Sequence, residues 1–135
     1  MNREAWVRWF LEELRAPVTG RNRLAMVCWI QSEGSPFDWN PLATTLRMPG
    51  SVTMNSHGVQ AYPSFDTGLD ASIRTISEPQ YQKIVNRLRR NAWPSRTHRA
   101  IAKSPWGTDG DLLARVLASA KDGHYDDYAK QTIPS

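Results

Sequence analysis

The chain has 135 residues, 6 tryptophans, 1 cysteine and a net charge of +4, a length at which one domain is expected to bury roughly two thirds of its unfolded surface. No apolar run approaches the about 20 residues that cross a bilayer, and "MNREAWVRWF" lacks the charged, apolar, small-residue order of a secretory leader. A soluble protein without a cleavable export signal or membrane span is therefore expected, and a lone cysteine excludes an internal disulfide and a cysteine-rich zinc site.

Asn2 can cap a first helix in which Trp6, Trp9, Phe10 and Leu14 fall at helical spacing, with Pro17 and Thr19-Gly20 ending it. From Arg23 the run "LAMVCWI" is apolar on every side, which predicts a central helix buried all round, with Cys28 as a packed thiol. Gly34 suits the left-handed position beyond the end of that helix. About thirty residues without helical period follow, broken by Pro36, Pro41, Pro49, Gly50, Gly58 and Pro63. Within them "SVTMNSHGVQAYPS" predicts two short antiparallel strands around a turn at Asn55 to Gly58, a β-containing insertion over about residues 35–63.

Helices then resume. Ser64 can cap a segment with Phe65, Leu69, Ile73 and Ile76 on one face, and "SEPQ" at Ser77 to Gln80 fits a capping box before Tyr81, Ile84, Val85 and Leu88. "SRTHRAIAKS" predicts a weaker helix. Thr108 can cap a last strong one burying Leu112, Leu113, Val116, Leu117 and Ala120 and ending near Gly123. The tail "HYDDYAKQTIPS", about residues 124–135, is polar and expected on the surface. The fold class is α+β, mostly α, in a single domain spanning residues 1–135.

Charge is unevenly placed. Between Pro79 and Thr108 there is no Asp or Glu, while Lys83, Arg87, Arg89, Arg90, Arg96, Arg99 and Lys103 all fall there, 7 of the 17 basic residues. That segment is either a solvated helix face or a positive surface for a polyanion such as nucleic acid, an anionic cell-wall polymer or a membrane surface. The tryptophans can serve packing or a surface for an amphipathic ligand.

"WIQSEGSPFDWNPLATT" places Glu33 where the apolar helix stops and an aromatic, proline-rich loop begins. Helix carbonyls make that end negative, and Trp29, Phe37 and Trp39 can desolvate a carboxylate there; both effects raise its pKa. A carboxyl protonated near neutral pH is what protonates the leaving oxygen of a glycosidic bond. The plainer reading is an exposed helix-terminal carboxylate.

The order of a helix ending in Glu, the loop "WNPLATT", the strand and bend "GVQAYPSFDTGLDASIRTI", then helices and "SPWGT", resembles the lysozyme-like domains of bacteriophage cell-wall hydrolases. It is more distantly similar to goose-type lysozymes, lytic transglycosylases and bacterial endo-glucosaminidases, over about Arg23 to Thr108. The resemblance implies a lysozyme-like fold with a cleft between a helical lobe and a small β-hairpin lobe, and Glu33 as the general acid. It also implies substrate contacts from Trp39, Asn40, Thr44, Thr45, Gln60 and Tyr62. Structural roles compete for the same residues: a turn at Asn40-Pro41, caps for the threonines, a half-buried strand position for Tyr62.

The "GLMQ"-like and "AYN"-like segments usual in lytic transglycosylases are absent as such, although "GVQAY" can fill the same space. No second carboxylate is evident: Asp38 follows Glu33 closely, and Asp66 and Asp70 fall on the next helix. A retaining enzyme with a carboxylate nucleophile needs its pair roughly 5 to 5.5 Å apart, an inverting one about 6.5 to 9.5 Å. Without such a partner, either the substrate's N-acetyl group assists or the muramic acid 6-hydroxyl attacks to give an anhydro product. His57, His98 and His124 lack metal-ligand spacing, no phosphate loop or activated serine occurs, and neither a metal nor a cofactor is expected.

The function expected from the resemblance is cleavage of peptidoglycan glycan strands by a phage lysis or virion-associated protein, reaching the wall through a lysis pore or on the particle. The basic segment would then hold an anionic wall polymer, and other virion proteins could be partners. Two other classes compete. One is an inactive lysozyme-like binding or structural module of a phage particle. The other, weaker one is a small basic nucleic-acid binder, which shows no helix-turn-helix signature.

Overall fold

The computed structural model describes all 135 residues and is mostly helical, with one two-stranded antiparallel sheet. Helix α1 (Arg3–Glu13) starts on Asn2, whose side chain accepts from the Ala5 N–H, and buries Trp6, Val7, Phe10 and Leu11. Trp9, expected on the same buried stripe, is instead 46% exposed and meets Phe65 edge-on at 6.0 Å. At 100° per residue it falls outside the stripe of Trp6, Val7, Phe10 and Leu11, so its ring covers a neighbour without entering the interior.

Helix α2 (Gly20–Glu33) begins on Thr19, earlier than its apolar run. Ala25 through Ile30 are buried without interruption, so no face of the helix middle is wet. It packs against α1 and against α5, α6 and α7 described below, which makes it the central helix. Gly34, at φ 58°, ends it in the left-handed conformation that a Cβ would oppose. Cys28 is fully buried against Val116, Leu117 and Ala120, and burial pushes its thiol pKa up to about 12, as an inert packed thiol requires.

Strands β1 (Val52–Thr53) and β2 (Gln60–Ala61) pair antiparallel with Val52 opposite Ala61 and Thr53 opposite Gln60, around a turn held by the Asn55 side chain. Helix α3 (Phe65–Ile76) starts on Ser64. A 3-10 turn (Pro79–Tyr81) then leads into α4 (Gln82–Arg89), followed by α5 (Pro94–Ala102) and α6 (Gly110–Ser119). The capping box expected at Ser77 to Gln80 does not form. Ser77 ends α3, Pro79 opens the 3-10 turn, and α4 starts without a side-chain cap. Ser77 is taken up as the C-cap of α3, and Pro79 suits the first position of the 3-10 turn, where no N–H donor is needed.

The carboxy-terminal tail is not a surface ribbon. After a π turn (Ala120–His124), with Gly123 at φ 106°, the chain forms α7 (Tyr125–Ala129) and buries Ala129 and Ile133 in the main core. The Arg3 N–H donates to Gln131 O, the Ile133 N–H to Met1 O, and the Trp39 N–H to Pro134 O. Tyr125, Ala129 and Ile133, at i, i+4 and i+8, are the apolar residues hidden in this polar stretch. One main core draws on all seven helices.

Candidate active site around Glu33

Glu33 is the last residue of α2 and is half-buried, with Trp29 one turn before it completely buried. The side chain that meets the carboxyl is Thr108: its hydroxyl donates to Glu33 Oε1 and accepts from Trp29 Nε1 at 3.1 Å. The indole N–H occupies the Thr108 lone pair and so directs the hydroxyl proton to the carboxyl. Thr108, expected to cap α6, does not. Asp109 does so, its carboxylate accepting from the N–H groups of Asp111 and Leu112, which leaves Thr108 free to turn inward.

Burial raises the Glu33 pKa, while the Thr108 hydroxyl and the Trp29 N–H beyond it pull it partly back down. The net direction is upward, so the proton is held to a higher pH than on an ordinary carboxyl. The Trp106 ring packs edge-on against Trp29 at 4.9 Å and against Tyr81 at 5.0 Å, and its N–H donates to Leu42 O at 2.9 Å, tying the segment after α5 to the loop after α2. Thr108 and Trp106 were not singled out from the sequence as site residues; the motif "SPWGT" that carries both was the available signal.

The six expected substrate contacts divide sharply. Asn40, Thr44, Gln60 and Tyr62 are all at most 3% exposed and bond to one another or to nearby loop groups. Asn40 Nδ2 donates to Thr44 O at 2.9 Å and to Gln60 O at 2.7 Å, and Asn40 Oδ1 accepts from the Thr44 N–H. Tyr62 and Thr44 hydroxyls lie 2.9 Å apart, and Tyr62 donates on to Leu46 O at 2.6 Å. Gln60 Nε2 donates to Thr53 Oγ1 and Gly58 O, while its Oε1 accepts from Ser51. These four therefore hold the β lobe together. Thr45 is exposed, and Trp39 is half-buried against Phe65, with ring centroids 5.9 Å apart.

None of Asp38, Asp66 and Asp70 shares a hydrogen bond with Glu33. Asp70 pairs with Arg74 at 3.1 Å on the outer face of α3, Asp66 lies in the first turn of the same helix, and Asp38 is exposed. The main surface cavities are lined neither by Glu33 nor by the six expected contacts. The three histidines stand apart: His57 is exposed, His98 Nε2 lies 2.9 Å from Ala25 O inside the core, and His124 pairs with Asp127. No group of three His, Cys, Asp or Glu side chains could hold a metal ion, and no helix is long and apolar enough to cross a membrane. No family model, curated protein or solved structure matches the chain.

Proposed function

We propose that the chain cleaves the glycan strands of bacterial peptidoglycan with Glu33 as general acid, as a phage lysis or virion-associated protein. The observation that carries this reading is the Glu33 carboxyl itself: half-buried at the negative end of α2, raised in pKa by burial, and oriented by a hydroxyl that is itself oriented by Trp29. Such a group holds its proton to a higher pH than an ordinary carboxyl and can deliver it to a leaving glycosidic oxygen. The resemblance of the segment order from Arg23 to Thr108 supports the same substrate class.

In this reading, which takes no protein carboxylate as the second group, Glu33 acts as acid and then as base. The second group is supplied by the substrate, either its N-acetyl oxygen or its 6-hydroxyl. Product masses separate these routes, since the first gives reducing ends and the second anhydro ends. In the assay, wild type releases soluble muropeptides from purified peptidoglycan, and Glu33→Gln does so about 10²- to 10⁴-fold more slowly. Wild type that releases none from any wall preparation ends the proposal.

A second reading is favoured by one observation. Asn40, Thr44, Gln60 and Tyr62 spend their polar groups on the loop itself. A lysozyme-like module that binds wall or docks in a phage particle without cutting would need no more. Co-sedimentation with insoluble peptidoglycan, unchanged in Glu33→Gln and without soluble product, is its signature.

A further inference from the structure

The groove between α4 and α5 has a chemistry that the Glu33 site does not use. Its volume is about 700 Å³, and Lys83 and Arg87 from α4 face Arg96 and Arg99 from α5, and Lys103 at its C-cap, across it. No carboxylate and no aromatic ring lines it; the rest is proline, glutamine, serine and two small stretches of aliphatic surface. None of the five cations takes part in an ion pair. Of the seven basic residues of this segment, Arg89 and Arg90 do not line the groove, and Arg89 donates to Leu14 O at 3.1 Å.

The spacing favours a chain over a single compact ion. Lys83 and Arg87 are one turn apart, about 6 Å along the axis, and Arg96 to Lys103 spans about 10.5 Å. Five unpaired like charges at that separation repel one another, so the groove gains most from a ligand that carries several regularly spaced negative charges. Three of the five are arginines, whose planar fork matches a phosphate oxygen pair better than a point cation does. A single-stranded nucleic acid would also want rings on which bases stack. The exposed indole of Trp93 does not line the groove, and the Arg21 guanidinium stacks on one of its faces at 3.5 Å.

We propose that this groove binds a linear phosphodiester polymer without bases, a polyol-phosphate chain of the kind carried by bacterial walls. The site is independent of Glu33 and stands whether or not the chain cuts glycan.

Fluorescence anisotropy with a labelled glycerol-phosphate oligomer tests it on the full chain. Wild type and Glu33→Gln bind alike, and affinity falls about a hundredfold between 50 and 200 mM salt, as roughly five released counterions require. Arg87→Gln and Arg99→Gln each weaken binding about fivefold, whereas Arg115→Gln, the same charge change on the exposed side of α6, alters it less than about twofold. Unchanged melting curves show that the variants fold. No binding at 50 mM salt, equal losses in all three variants, or tighter binding of an oligothymidylate with the same number of phosphates would each overturn the proposal, the last in favour of nucleic acid.

Discussion

Burial raises the Glu33 carboxyl above the usual 4.5 in the folded state only, so folding takes up a proton there. The stability contributed by the protonated form is fully present below about pH 4.5 and is lost as the pH rises through the folded value. Glu33→Gln, which cannot ionise, should therefore melt higher than wild type at pH 8 and approach it at pH 4. A gap between the two melting temperatures that does not grow with pH would refute the burial argument. Thr108→Val removes the hydroxyl that favours the ionised carboxylate, so the Glu33 pKa should climb further and the alkaline limb of the proposed glycan cleavage should move up. It also strands the buried Trp29 N–H, at a cost of about 1–3 kcal/mol, and Thr108→Ser should restore both properties. The place of Glu33 at the end of a buried helix and its upward pKa direction were legible because helix end, apolar run and loop all lie within one short stretch. Thr108 was not, because its partner is 75 residues away and the threonine looks locally like a cap.

At the scale of elements, the loop after α2 is held by buried amides and by one close approach. Trp39 and Ala43 sit at φ 50° and 56°, a left-handed conformation that non-glycine residues adopt only when their surroundings impose it. The surroundings here are the Asn40 hydrogen bonds and Gly68 on α3, where an added Cβ would lie 2.0 Å from Trp39 O and 2.8 Å from Trp39 Cβ. Neither atom can yield without moving the loop. Gly68→Ala should cost about 1–3 kcal/mol in chemical denaturation despite its better helix propensity, and amide exchange should quicken over residues 37–44 first. A gain in stability, as at an open helix position, would show that the loop is not pinned there. Both strands, their turn and six of the seven helices follow from local pattern, since period, turn residues and caps are short-range signals. The roles of Asn40, Thr44, Gln60 and Tyr62 are not local. Their hydrogen bonds cross up to 20 residues, and polar side chains at a loop carry the same sequence signal whether they satisfy the chain or await a sugar.

Across the whole molecule, the two ends of the chain close the structure together, which a polar tail composition conceals because only Ala129 and Ile133 go fully inside. The isolated bridge between Asn2 and Thr132 and the hydrogen bonds from Arg3 and Ile133 fasten the end to the start of α1, while Pro134 O receives the Trp39 N–H of the loop after α2. Removing the last five residues would free four backbone partners, on Met1, Arg3, Trp39 and Tyr128, and expose the space that Ile133 fills. Ile133→Ala alone should cost about 2–5 kcal/mol, a large share of the about 5–15 kcal/mol expected for a domain. The truncation separates two ideas. If the tail merely covers α1, exchange should quicken at residues 1–5 and leave the loop unchanged. If it braces the loop, exchange should quicken at Trp39 and Asn40 as well, and the proposed glycan cleavage should fall further than the fraction of unfolded protein explains. The Trp39 to Pro134 hydrogen bond at 2.8 Å favours the second outcome, because it is the tail's one backbone link to the loop that leads from Glu33 into the β lobe.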